Sequence, residues 1–270
     1  MKTKTLKPFL IITFALTWGI AALLILFNDQ MTAIFGELTP SNPVYILAVY
    51  SPGTAGIFLV WRTYGMKGVG SFFRRLTLWR MPSVWWLFLL LGIPVLAYTS
   101  AYLNGTISDP FPFSPWTLAI PALAQAFFLG TIEEFGWRGV ALPLMQRRMA
   151  PVWAGLAIGI IHAVWHFPAF LLGGGLQYGA WALLPFIGGT IALNIILVPL
   201  FNSSRGSLLI AYLFHFQAMN PIWPDGQPWE NLVYGVAAVL ILALNWKTMF
   251  DKTAGVTEVL MPGEEMVAEG

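Results

Sequence analysis

The sequence has no cysteine among its 270 residues, which excludes a disulfide scaffold, a cysteine-ligated zinc finger and a thiol nucleophile. Charged residues are also scarce: they make up 10% of the chain, against roughly 25% in soluble proteins. Hydrophobic residues reach 57% and the mean hydropathy is +0.71. The net charge of +2 gives no reason to expect a nucleic-acid partner. The apolar runs are continuous rather than alternating, which favours spanning helices over a β-barrel. These properties predict an all-α, multi-pass integral membrane protein whose partner is the lipid bilayer.

Eight apolar segments approach the roughly 20 residues that a spanning helix needs. The fourth is too long for a single straight span, and the seventh is short. The predicted spans are Phe9–Phe27, Pro43–Trp61, Val84–Leu103, Trp116–Gln146, Pro151–Leu172, Trp181–Phe201, Gly206–Asn220 and Asn231–Trp246.

The basic residues test this count. With eight spans, 13 of the 14 Lys and Arg residues fall on one side of the membrane, and the positive-inside rule makes that side cytoplasmic. Both termini are then cytoplasmic, and the protein is expected in the cell membrane. The one-sided distribution of Lys and Arg favours a bacterial inner membrane. The loops on the other side carry acidic residues and no Lys or Arg.

Four regions follow from this pattern. Residues 1–115 hold three spans and a basic cytoplasmic loop, residues 116–221 hold a core of four spans, and residues 222–250 hold the last span. Residues 251–270 are a polar, acidic tail that we expect to be poorly ordered. Within the basic loop, Met66–Met81 mixes aromatic and Arg residues, which fits either an interfacial amphipathic segment or a plain basic loop. Gly53 and Gly56 indicate a close helix contact.

The remaining basic residue, Arg138, lies inside the fourth span with Glu133 and Glu134. Ionisable groups within a span are energetically unfavourable, and they are functional candidates by default. Glu134 and Arg138 are four residues apart, so they share a helix face and can form an ion pair. Glu133 is left without an obvious local partner and is a candidate general base.

All three histidines are also predicted to lie within the membrane. His162 and His166 share one helix face in the fifth span, as in metal-binding helices, and His215 precedes Asn220 in the seventh. At 1.5 Å per residue, these groups and Glu134 lie roughly 14–22 Å from the cytoplasmic ends of their spans, near the middle of a core about 30 Å thick. They can therefore form one site that activates water for attack on an amide, directly or through a metal.

These residues resemble the signature of the CPBP family of intramembrane proteases, which includes CAAX-prenyl-protease-type, Abi and lysostaphin-resistance-type proteins. Its first motif, Glu-Glu-x-x-x-Arg, is matched in full by Glu133, Glu134 and Arg138. Its second, Phe-x-x-x-His, is matched by His166, with His162 in place of the Phe. Its third, His-x-x-x-Asn/Asp, is matched by His215, but Asn220 follows one residue late and Met219 stands at the expected position.

The resemblance covers roughly 116–221 and implies the following roles. Glu133 is the base that activates water, Arg138 supports Glu134, and Asn220 stabilises the oxyanion. His166 and His215 orient water or bind a divalent metal such as zinc, with His162 a weaker candidate ligand. The implied activity is an intramembrane endopeptidase, metal- or glutamate-dependent, that cuts near the C-terminus of a membrane-associated protein or peptide, with prenylation of that substrate left open.

Two other interpretations remain. A non-catalytic immunity or adaptor protein could keep the fold and use the polar cluster for packing, and Glu133→Gln would then leave its activity intact. A small proton-coupled transporter would also use intramembrane Glu and His, although the sequence shows no repeat symmetry.

Overall fold

The computed structural model describes residues 1–39, 41–172 and 183–265, and every regular element in those ranges is helical. The predicted all-α class is therefore confirmed. The helices in chain order are α1 Leu6–Leu26, α2 Asn28–Phe35, α3 Pro43–Val49, α4 Ser51–Arg74, α5 Ser83–Asn104, α6 Trp116–Gln146, α7 Pro151–Leu171, α8 Leu183–Ser203, α9 Leu208–Ala218, α10 Trp229–Leu244 and α11 Trp246–Phe250.

Five of these helices are long and apolar enough to cross a membrane, namely α1, α5, α6, α7 and α8. Helix α3 and the segment Ser51–Thr77 meet at a bend of 63° and give a sixth span if they are counted together. Helices α9 and α10 are apolar but only 11 and 16 residues long. The multi-pass architecture is confirmed within the described residues, whereas the count of eight and the orientation stay predictions. The start of the sixth predicted span, at Trp181, lies outside the described residues.

Helices α4 and α6 touch backbone to backbone beside the paired glutamates. A Cβ atom added to Gly53 would lie 2.6 Å from the carbonyl oxygen of Ile132, and one added to Gly56 would lie 2.9 Å from that of Phe135. From the other side, a Cβ on Gly136 would lie 2.2 Å from the carbonyl oxygen of Pro52. The predicted close contact at Gly53 and Gly56 is confirmed, and it brings α4 against the turn of α6 that carries the charged cluster.

The acidic tail is folded, contrary to the sequence prediction, at least as far as Glu265. Val259 and Leu260 are buried, and the Glu265 carboxylate accepts hydrogen bonds from the Met1 ammonium at 2.5 Å and from Arg147 at 2.7 Å. Burial raises the pKa of Glu265, but these donors, with the Val259 amide, outweigh it and hold the pKa below its usual range. Composition did not reveal this order, because the donors come from distant parts of the chain.

The basic segment after the second predicted span is also not an exposed loop. Helix α4 runs through most of it, with a break at Gly65, where φ is +65° and only glycine is comfortable. A short helical turn, Arg75–Thr77, follows. The side chains of Phe72 and Arg75 are fully buried, so this segment packs into the end of the bundle.

Candidate active site

Helix α6 departs from regular α-helical geometry around the paired glutamates. Ala126–Gly130 and Trp137–Ala141 are π-helical turns, and Thr131–Glu133 is a 3₁₀ turn. In a regular helix, two consecutive side chains point about 100° apart, yet Glu133 and Glu134 are both buried, at 3% and 1% exposure. Single π turns inside α-helices often mark functional sites, and here they flank two carboxylates that face the protein interior.

Glu134 forms the centre of a buried polar cluster. Its Oε1 accepts from Arg138 Nη1 at 3.1 Å, which confirms the predicted ion pair, and it lies 2.7 Å from His215 Nδ1. Arg138 also donates from Nη2 to Asn194 Oδ1 on α8 at 2.8 Å. Three helices, α6, α8 and α9, are therefore held together by one carboxylate and one guanidinium.

Glu133 has a partner that the sequence did not suggest. Its Oε2 lies 2.9 Å from Nε2 of His162 on α7. Asn194 fixes the proton of that ring, because its amide nitrogen donates to the Thr190 carbonyl at 2.7 Å and faces His162 Nδ1 at 3.5 Å. Nδ1 is then the acceptor, so Nε2 carries the proton and donates it to Glu133.

A possible metal-binding group lies at the same place. Ligand atoms of Glu133, His162 and His166 lie within 4.8 Å of one another, and the two imidazole rings stack with centroids 4.9 Å apart. Three such ligands with an open fourth position suit catalytic zinc. The residue types and spacing therefore fit a divalent metal, on the condition that His162 Nε2 releases its proton.

His215 is placed differently from the sequence expectation that it shares a metal with His166. It faces Glu134 through Nδ1, and its Nε2 lies 2.8 Å from the Met219 sulfur. Asn220 follows the end of α9, where its amide donates to Gln217 at 3.3 Å and its oxygen accepts from the Ile222 N–H at 3.2 Å. These contacts make Asn220 a turn residue in this structure.

An apolar cavity of about 570 Å³ opens beside Glu133 and His166. Its walls come from α1, α3, α6 and α7, with Met219 and Pro221 after α9. Leu38 and Thr39, in the loop between α2 and α3, also line it. The charged or metal-ligating side chains that line it in the described part of the chain are Glu133 and His166, so a substrate in this space would meet these two groups first.

Sequence reasoning missed Asn194, which joins the two halves of the site. The available signal was an amide in the middle of the apolar run of α8, a position as unusual in a span as those of the histidines. It also missed Thr17 on α1, whose hydroxyl accepts from the Trp165 indole N–H at 2.7 Å at the cavity wall.

Comparison with known proteins agrees with this geometry. Residues 115–220 match the family model of the type II CAAX prenyl endopeptidase Rce1-like proteins. This segment is therefore similar to the Rce1-like family. It contains every predicted site residue from Glu133 to Asn220. The chain is also 31% identical over 182 residues to a protein named CAAX prenyl protease 2 from Methanococcus maripaludis, a match that spans 64% of this chain and 65% of that relative.

Proposed function

We propose that the protein is an intramembrane endopeptidase that uses Glu133 to activate water. The observation that carries this proposal is that the buried Glu133 carboxylate lines an apolar cavity, with His162 donating to it and His166 beside it. The match between the segment that holds these residues and the Rce1-like family model supports the same activity.

Each group in the cluster has a defined task in the proposed reaction. Glu133 takes a proton from water as the oxygen attacks the substrate carbonyl, and it then delivers that proton to the leaving amine as the C–N bond breaks. His162 holds the Glu133 carboxylate in place through its Nε2 proton. His166 donates to the developing oxyanion, the task that the family resemblance implied for Asn220. Arg138 and His215 hold the Glu134 carboxylate in place beside this centre.

A divalent metal, if the protein binds one, would be held by Glu133, His162 and His166 and would supply Lewis-acid activation of water or of the carbonyl. The contact between His162 and Glu133 also supports a reaction in which the Glu133 carboxylate itself activates water. The proton on His162 Nε2 is shared with Glu133, and Asn194 supports that arrangement. We therefore propose a glutamate-dependent reaction.

The proposed substrate is a membrane-associated protein or peptide that is cut near its C-terminus. The cavity has the volume of a typical ligand site, and its walls are mainly apolar, so it can accept a hydrophobic chain next to the scissile bond. The name of the archaeal relative makes a prenylated C-terminus the first substrate to test.

The test uses purified protein in mild detergent with a diverse peptide library that includes prenylated C-terminal peptides, and mass spectrometry identifies the products. We expect cleavage by the wild type, none by Glu133→Gln, and wild-type cleavage by Glu37→Gln, which changes an exposed carboxylate. Equal cleavage by Glu133→Gln and the wild type would contradict the proposal. Cellular function that survives Glu133→Gln would favour the adaptor interpretation.

A further inference from the structure

Arg75 is a buried cation outside the active-site cluster, and it contacts three separate parts of the chain. Its side chain is 0% exposed. The guanidinium donates from Nε to the carbonyl of Gly206 at 2.9 Å, and from Nη1 to those of Gly139 at 2.9 Å and Val259 at 2.8 Å. Nη2 lies 3.4 Å from the carbonyl of Arg138. The acceptors belong to α6, to the turn before α9, and to the folded tail.

The contact with α6 replaces a main-chain hydrogen bond that a proline removes from that helix. Pro143 lies within α6, and proline has no N–H to donate to the carbonyl four residues earlier. That carbonyl belongs to Gly139, at the π-helical turn where the Leu142 N–H bonds to Trp137. A buried carbonyl without a donor destabilises a protein, and Arg75 donates to this carbonyl from Nη1.

The contact with Gly206 reaches the second helix of the site. Gly206 precedes Ser207, whose hydroxyl accepts from the Ile210 N–H and begins α9. One guanidinium therefore joins the turn of α6 that carries Arg138 to the start of the helix that carries His215. Arg138 and His215 are the two residues that bond to Glu134.

We propose that Arg75 is a positioning residue that sets the register of α6 against α9 and thereby the hydrogen bonds of Glu134. The proposal rests on the endopeptidase function proposed above. Arg75 does not line the cavity beside Glu133, and it acts through two main-chain segments. Its role follows from the five donors of a rigid guanidinium, which can serve several carbonyl groups at once and which lysine cannot reproduce.

The test is a double-mutant cycle between Arg75→Met and Pro143→Ala. We expect Arg75→Met to lower kcat by up to roughly 100-fold, the scale of a 1 Å misplacement, with KM little changed. Adding Pro143→Ala should recover only part of that loss, because the substitution restores a main-chain N–H near Gly139 but not the bond from Arg75 to Gly206. Arg75→Lys should fall between Arg75→Met and the wild type.

A second readout does not need cleavage. The chain has no cysteine, so Arg148→Cys and Arg205→Cys, at exposed sites after α6 and before α9, give one pair of spin labels. We expect Arg75→Met to shift or broaden the measured distance, and we expect the change to persist when Pro143→Ala is added, because the link to Gly206 is still missing. If no form of the protein cleaves any peptide, the proposed function fails and the distance alone decides the positioning role. Wild-type kcat in Arg75→Met, an unchanged distance in that variant, or full recovery with Pro143→Ala would overturn the positioning role.

Discussion

Substitution of Gly136 by alanine tests whether the backbone contact between α4 and α6 holds the site together. The new Cβ would lie 2.2 Å from the carbonyl oxygen of Pro52 and 2.4 Å from its carbonyl carbon, whereas ordinary contacts begin at 3.4 Å. The clashing atoms are main chain, so no side chain can rotate away. The helices must separate by about 1 Å or more, and overpacking of this kind costs typically 1–3 kcal/mol, sometimes more.

We expect Gly136→Ala to lower the free energy of unfolding by about 3 kcal/mol, the upper end of that range. For a soluble domain of this size, that loss lowers the unfolding midpoint by roughly 6–12 °C. The assay is thermal unfolding in detergent, followed by the fluorescence of the 13 tryptophans. Gly235→Ala is the matched control, because Gly235 lies in α10 with nothing within 4 Å of an added Cβ. A Gly136→Ala midpoint equal to that of Gly235→Ala would refute the reasoning.

Three further predictions concern metal, topology and pH. Treatment with a chelator should leave cleavage within about twofold of the untreated enzyme, since the proposed base is a carboxylate; abolition by chelator and recovery with zinc would show a metal enzyme. In intact cells, a membrane-impermeant maleimide should label Thr39→Cys, at the cavity wall, and should not label Arg205→Cys. The reason is that the positive-inside rule puts these two exposed residues on opposite sides of the membrane. Labelling of Arg205→Cys alone would show that the topology is inverted. The depressed pKa of Glu265 adds stability above the unfolded value of about 4.3 and loses it as pH falls through the folded value. The unfolding midpoints of the wild type and Glu265→Gln should therefore differ near neutral pH and converge below about pH 4, and a constant difference would contradict this.

The charged cluster could be predicted because ionisable residues are rare within apolar membrane spans. Glu134 and Arg138 are four residues apart within an apolar run, and that spacing alone predicted the ion pair that the structure shows. The glycines of α4 likewise predicted a close helix contact. In both cases the evidence is local, since a helix fixes which residues share a face.

Contacts between distant segments could not be predicted in the same way. The partner of Glu133 is His162 on α7, and the tautomer of that ring depends on Asn194, which lies on a third helix, α8. Spacing alone could not show which histidine would face which glutamate. The folding of the tail and the burial of Arg75 were not predicted for a related reason. Composition shows that a segment is polar, but it does not show that carbonyl groups and charges from distant segments will form hydrogen bonds and ion pairs with it.

The most direct test of water activation by Glu133 is a single-turnover cleavage in H₂¹⁸O. We expect the first product to carry one ¹⁸O atom in its new carboxylate and Glu133 to remain unlabelled, with no product from Glu133→Gln. A first-turnover product without ¹⁸O, or ¹⁸O found in Glu133 itself, would show that the carboxylate attacks the substrate directly and would contradict the proposed mechanism.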